Sequence, residues 1–108
     1  MDTLTLRSTI ETVLTQYRDY LGNDPETNLD LIFDIRRDRY LLIEHGWQGE
    51  RHIYGTILHL AIVDQKVWIH QDGTETGIAP ELLQLGVPSD RIVLGYKSPA
   101  RREIAQLV

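Results

Sequence analysis

The sequence predicts an α+β domain: a helix leading into an antiparallel, four- to five-stranded meander sheet, with helices packed on one face. Three observations carry that reading. Apolar residues recur at three- and four-residue spacing before Gly22, and they alternate in twos after Asn28. The alternating segments are also joined by connections of only two or three residues. Parallel neighbours need a crossover of a dozen or more residues, so strands joined this closely run antiparallel.

Taken in order, Leu6, Ile10, Val13, Leu14, Tyr17 and Leu21 make one apolar stripe on a helix over Thr3–Leu21. Gly22 stands where a helix end favours positive φ, and Pro25 prevents continuation, so the polar run from Gly22 to Asn28 is a connection. Leu29, Leu31, Phe33 and Ile35 then alternate with Asp30, Ile32, Asp34 and Arg36, the pattern of a strand with one buried face. Arg37-Asp38 occupies a tight turn. Tyr40 to His45 forms a second strand running on towards Trp47, and Gln48-Gly49-Glu50 turns the chain into a long third strand from His52 to Val63. After Asp64-Gln65, Val67 to His70 is the fourth strand, ended by Asp72-Gly73. Ile78, Leu82, Leu83 and Leu85 mark a short helix with Pro80 in its first turn, and Gly86-Val87-Pro88 stops it. Arg91 to Leu94 is a fifth strand or a covered edge. Ser98 as N-cap and Pro99 at the first helical position open a last helix. The order is α-β-β-β-β-α-β-α.

At 108 residues the chain forms one domain, residues 1–108. Its 42% hydrophobic and 25% charged residues are those of an ordinary globular protein. The absence of cysteine excludes disulfides and thiolate zinc sites. Met1 to Leu4 lacks the basic start and apolar run of a signal peptide, and no apolar stretch approaches the ~20 residues that span a bilayer. A cytoplasmic location is the expectation. The net charge of −5 disfavours a phosphate backbone as ligand. Local basic groups still allow direct DNA binding as the alternative, through Arg36, Arg37, Arg39 and Arg51 if the first three strands share an edge. Lys97, Arg101 and Arg102 make a second basic group.

The search for chemistry turns up no catalytic constellation. His45, His52, His59 and His70 all fall in or beside strands, and imidazole suits zinc, copper or nickel, yet no pair stands at metal-binding spacing. Asp30, Asp34, Asp72 and Glu75, with Lys66, are the carboxylates and lysine that a small magnesium-dependent nuclease would use. Turn and helix-start roles account for Asp72 and Glu75 more simply. Nucleophile elbows, phosphate loops and dinucleotide fingerprints are missing. Trp47-Gln48-Gly49 and Tyr54-Gly55 beside Arg51 have the composition of a base-stacking platform, although aromatics packed over a hairpin backbone are the commoner meaning. No catalytic residue, metal or cofactor is expected.

The long third strand is apolar on both faces. Ile53, Ile57, Ala61 and Val63 stand opposite Tyr54, Thr56, Leu58, Leu60 and Ile62. Two-sided apolarity in an antiparallel sheet calls for a second layer, and a homodimer is the expectation.

An ordered series of short motifs adds a family resemblance. It comprises Gly46-Trp47-Gln48-Gly49, Tyr54-Gly55, Lys66 to Glu75, Gly77-Ile78-Ala79, Gly86-Val87-Pro88, Asp90 to Leu94, and Pro99 with Arg102. At these spacings, over essentially the whole chain, the series resembles the XisI family. Those largely cyanobacterial proteins are known as controlling factors for excision of the fdxN element. The resemblance implies a non-enzymatic accessory to a DNA rearrangement that a separate recombinase performs. It also implies a XisH-type, nuclease-like partner protein, and it brings no catalytic residues with it. The candidate partner-binding surface comprises Trp47, Gln48 and Arg51 at one hairpin with Gln71, Asp72, Thr74 and Glu75 after the fourth strand.

Overall fold

The computed structural model describes residues 1–22 and 24–104; Asn23 in the predicted connection and residues 105–108 of the tail lie outside them. Helix α1 (Thr3–Leu21) is followed by strands β1 (Thr27–Asp34), β2 (Arg39–Gln48), β3 (Arg51–Val63) and β4 (Lys66–Asp72). Helix α2 (Ala79–Gln84), a 3-10 turn (Ser89–Arg91), strand β5 (Ile92–Leu94) and helix α3 (Pro99–Ile104) complete the chain. The strands form one sheet in sequence order. Its first four strands are the antiparallel meander that the short connections require. β5 pairs with β4 in parallel, through Val67–Ile92, Trp68–Val93 and Ile69–Leu94, so the sheet is mixed. The reason is length: the segment between β4 and β5 carries α2 and is long enough to return the chain to its starting end.

The helix ends follow their sequence signals. Asp2 caps α1 by accepting from the Thr5 N–H at 2.8 Å. Gly22 closes it at φ 74°, with its N–H on the Arg18 carbonyl. At the end of α2, Gly86 (φ 98°) donates to Leu83 and Val87 to Leu82, the paired bonds of a Schellman stop, with Val87 buried. Leu6, Ile10, Val13 and Leu14 of α1 meet Tyr40, Leu42, Leu58, Leu60 and Ile69 of the sheet, and Ile78 and Leu82 extend this core beside α2. The chain also closes on itself over a long sequence distance, where Arg91 donates to the Met1 carbonyl at 2.7 Å.

Two bulges decide which side chains face the core. Leu42 pairs with Leu58 but Ile43 pairs with Thr56, which leaves Ile57 as an extra residue on β3. On β4, His70 is extra in the same way, between the Leu60–Ile69 and His59–Gln71 pairs. The first bulge overturns the expected row of Ile53, Ile57, Ala61 and Val63 on one face. Ile53 shares the helix side with Leu58, Leu60 and Ile62, whereas Tyr54 and Thr56 share the opposite face with His59, Ala61 and Val63. At Gly46 a Cβ would overlap the Glu26 carbonyl oxygen, so only glycine lets the start of β1 close against β2.

One carboxylate fastens these parts together. Asp38, in the β1–β2 turn at φ 55°, accepts from Arg7 of α1 at 2.6 and 3.1 Å and from the Tyr40 hydroxyl at 2.8 Å. Its own carbonyl accepts from the Ile62 N–H on β3. The Arg7 hydrogen bonds hold the Asp38 carboxyl below the usual carboxylate range. Burial, then the bond to Asp38, pushes the Tyr40 hydroxyl up.

Asp38→Ala strands the hydroxyl of fully buried Tyr40, and a loss of about 1–3 kcal/mol in denaturant unfolding is expected. Because the Asp38 pKa is depressed on folding, its contribution is complete above its unfolded value near pH ~4 and is lost as pH falls through the lower folded value. Asp38→Asn, which tolerates the same backbone, is expected to flatten that acid limb. At the β3–β4 turn, Asp64 and Gln65 both hold positive φ (52° and 61°), a conformation in which side chains are strained. Gln65→Gly is expected to raise stability by roughly 0.5–1 kcal/mol in the same measurement.

Candidate functional site

α1 and α2 lie on one side of the sheet. The strand register collects all four histidines and both tryptophans on the other. Trp47 pairs with His52 and His45 with Tyr54, and on the far side of the Ile57 bulge His59 pairs with Leu41 and Ala61 with Trp68. Two aromatic groups result. At the β2–β3 tip the Trp47 and His52 rings stack at 4.6 Å, and His52 continues to Tyr54 at 6.4 Å. Trp47 is 57% exposed and Tyr54 70%. Nothing among the described residues covers this ladder.

The second group is capped. His70 meets His59 edge-on at 4.9 Å and stacks on Trp68 at 5.9 Å. The Arg102 guanidinium lies 5.0 Å over the Trp68 ring, fixed by donation to the Leu94 and Lys97 carbonyls. Thus α3 presents Arg102 to the face opposite α1 and α2, where the sequence expectation put every helix on one face. Burial, followed by the charges of His70 and Arg39, lowers the His59 pKa. Only His59 and His70 touch among the histidines, His45 being bonded to Asp30 at 2.9 Å. No group of three or more metal-ligating side chains gathers among the described residues.

The carboxylates considered for nuclease chemistry are dispersed. Asp30 is on β1 and Asp72 on β4, three strand spacings apart, about 14 Å. Asp34 is paired with Arg37 at 3.0 Å. Asp72 organises the approach to α2, accepting from the Thr74 N–H at 3.0 Å, the Thr74 hydroxyl, and the Ile78 N–H at 2.7 Å. Glu75 borders an open groove between α1 and α2, beside Tyr17 and Tyr20. Lys66 starts β4, at the opposite end from Asp72.

The candidate partner surface is likewise in two parts. Trp47, Gln48 and Arg51 sit at the hairpin tip, whereas Gln71 and Asp72 end β4 and Thr74 and Glu75 follow it, around the Leu58–Asp72 pair about 23 Å further along β3. Trp47 faces the open side. Arg51 and Gln48 face the helix side, in a hollow shared with Glu44 and Ile53. The candidate DNA contacts are not brought together either. Arg36, Arg37 and Arg39 are at the β1–β2 turn, with Arg37 held by Asp34 and Arg39 donating to the Arg37 and Asp38 carbonyls. Arg51 stands at the other end of the β2–β3 pair, roughly 30 Å away.

The shared face of the histidines was hidden from strict alternation. His52 and His59 are seven residues apart, an odd interval that places them on opposite faces of a regular strand. The extra residue Ile57 reverses the parity.

A family model described as XisI protein matches residues 1–107. A XisI-like protein from Anabaena variabilis has a similar solved structure, with a TM-score of 0.91 and 32% identity over 97% of this chain and 96% of that one. A second structure from the same organism, the fdxN element excision controlling factor XisI, gives a TM-score of 0.81 and 35% identity over 92% and 96%. No curated protein matches the chain. No described helix is long and apolar enough to cross a membrane.

The geometry separates Asp72 from Glu75. Asp72→Ala removes the acceptor for three donors and is expected to lower unfolding stability by about 1–3 kcal/mol. Glu75→Gln is expected to leave it within about 0.5 kcal/mol, as measured by urea denaturation.

Proposed function

The chain belongs to the XisI family, and we propose that it is a non-enzymatic controlling factor in excision of an fdxN-type DNA element, acting by binding a partner protein. The observation that carries this reading is the uncovered Trp47–His52–Tyr54 ladder on a two-stranded tip. Large, stiff aromatic groups that are wet in the free protein gain most when a partner buries them, and such residues dominate interface energies. The carboxylates that a nuclease would gather are instead dispersed, with Asp30, Asp34 and Asp72 each committed to local bonds, which favours a contact role over a catalytic one. The structural relative known as the fdxN element excision controlling factor XisI supports the biological setting. The partner proposed is a XisH-type, nuclease-like protein, with Gln48 and Arg51 on the other face of the same tip and Gln71, Asp72, Thr74 and Glu75 as a second, separate contact area. A cytoplasmic location belongs to the same reading.

Co-purification and calorimetry with the XisH-type protein test it. Binding at micromolar concentration or tighter is expected, with Trp47→Ala and Tyr54→Ala each weakening it at least tenfold, about 1.4 kcal/mol. No complex at micromolar concentrations of both proteins would overturn the proposal.

A further inference from the structure

The half of β3 nearest the hairpin has a partner on one side only. β2 pairs with β3 along its length, but β4 reaches back only to Leu58, and the Gly73 N–H closes on the Ile57 carbonyl. From Arg51 to Thr56 the other edge is open among the described residues. The two-residue Gly49-Glu50 turn makes Gln48–Arg51 a hydrogen-bonded pair, so by alternation His52, Tyr54 and Thr56 point their N–H and C=O groups away from β2. The same alternation on β2 turns the Trp47 N–H outward, and it is bonded there to Glu26 at 3.1 Å. This edge carries no proline and no lysine, and no loop covers it among the described residues, the usual devices that keep an exposed edge from pairing.

We propose that this edge pairs antiparallel with the same edge of a second copy of the chain, about a two-fold axis at Ile53. The register follows from the obstacles. Centring on Tyr54 would drive each hairpin tip into the Gly73 turn of the other copy. Centring on Ile53 sets His52 of each copy opposite Tyr54 of the other, two hydrogen-bonded pairs exchanging about four bonds. Charge favours the same arrangement. Arg51 has no ion-pair partner among the described residues, and in this register it lies over Gly55 of the second copy, where no side chain obstructs it. There it reaches Glu44, which pairs with Gly55, and it approaches the Asp72–Glu75 turn. The two parts of the candidate surface, well separated within one copy, are thereby juxtaposed across the axis. The inference goes beyond the partner reading and does not depend on it.

The chain has no cysteine, so a single introduced thiol reports the register cleanly. At a non-hydrogen-bonded antiparallel position, Cα atoms stand about 4.5 Å apart, within disulfide reach. Ile53→Cys is expected to cross-link to a covalent dimer under mild oxidation, whereas Val63→Cys, further along the same strand, is not. Multi-angle light scattering of the native chain at high micromolar concentration is expected to give twice the chain mass. Tyr54→Pro, which removes an outward N–H without touching the β2 ladder, is expected to give the single mass with an unchanged circular dichroism spectrum. A monomeric mass for the native chain overturns the proposal. So does a dimer in which Ile53→Cys fails to cross-link, or one that survives Tyr54→Pro with the fold intact. Because Tyr54 also belongs to the aromatic ladder, partner affinity is measured on the Ile53→Cys protein, reduced and cross-linked, so the dimer and the partner contact are read independently.

Discussion

The Asp38 carboxylate is the tie on which the rest of the molecule depends. It stands at a positive-φ corner between the first two strands and receives a forked arginine from α1 and the hydroxyl of the largest fully buried side chain. Its backbone carbonyl meanwhile fixes β3 through Ile62. Three elements distant in sequence are thereby held at one point. The apolar contact between α1 and the sheet is non-directional and would tolerate sliding of the helix, but a bidentate ion pair does not. Once α1 is seated, the helix side of the sheet is settled, and the opposite face is left to the aromatic and imidazole groups.

Most of this architecture was legible in the sequence because it rests on local rules. The α1 stripe, Gly22, the short turns and Gly86-Val87-Pro88 each act within a few residues, and each produced the element it announced. The Asp72-Gly73 pair did so too, with Asp72 serving as the local acceptor that its position suggested. What escaped was non-local. The parallel placement of β5 depends on the path of the chain around α2, and the mixed sheet cannot be seen from strand pattern alone. The arginine forked onto Asp38 joins residues 31 apart, a distance over which no spacing rule operates.

The bulges explain why the candidate site was legible only in pieces. A strand read with a strict period of two splits His52 from His59 and unites Ile53 with Ala61. Insertion of Ile57 into the ladder reverses both assignments. The individual residues Trp47, Gln48, Arg51 and Glu75 could be picked out by type, but their facing directions required the register. The same applies to the arginines: Arg36, Arg37 and Arg39 look like one patch with Arg51 until the length of β2 is laid between them.

The bond from Arg91 to the Met1 carbonyl bears on how the chain reaches its native state. The meander is assembled from neighbours in sequence and can form in hairpin-sized steps while synthesis continues. The clasp between the start of the chain and the 3-10 turn spans 90 residues, so among the described residues it closes the longest hydrogen-bonded loop and carries a large entropic cost of closure. During translation the apolar stripe of the N-terminal helix waits for the sheet residues it packs on, up to Ile69, and the start of the chain stays unclasped until Arg91 has been made. That waiting interval, rather than the finished fold, is the stage at which this protein is most exposed to aggregation or to capture by a chaperone.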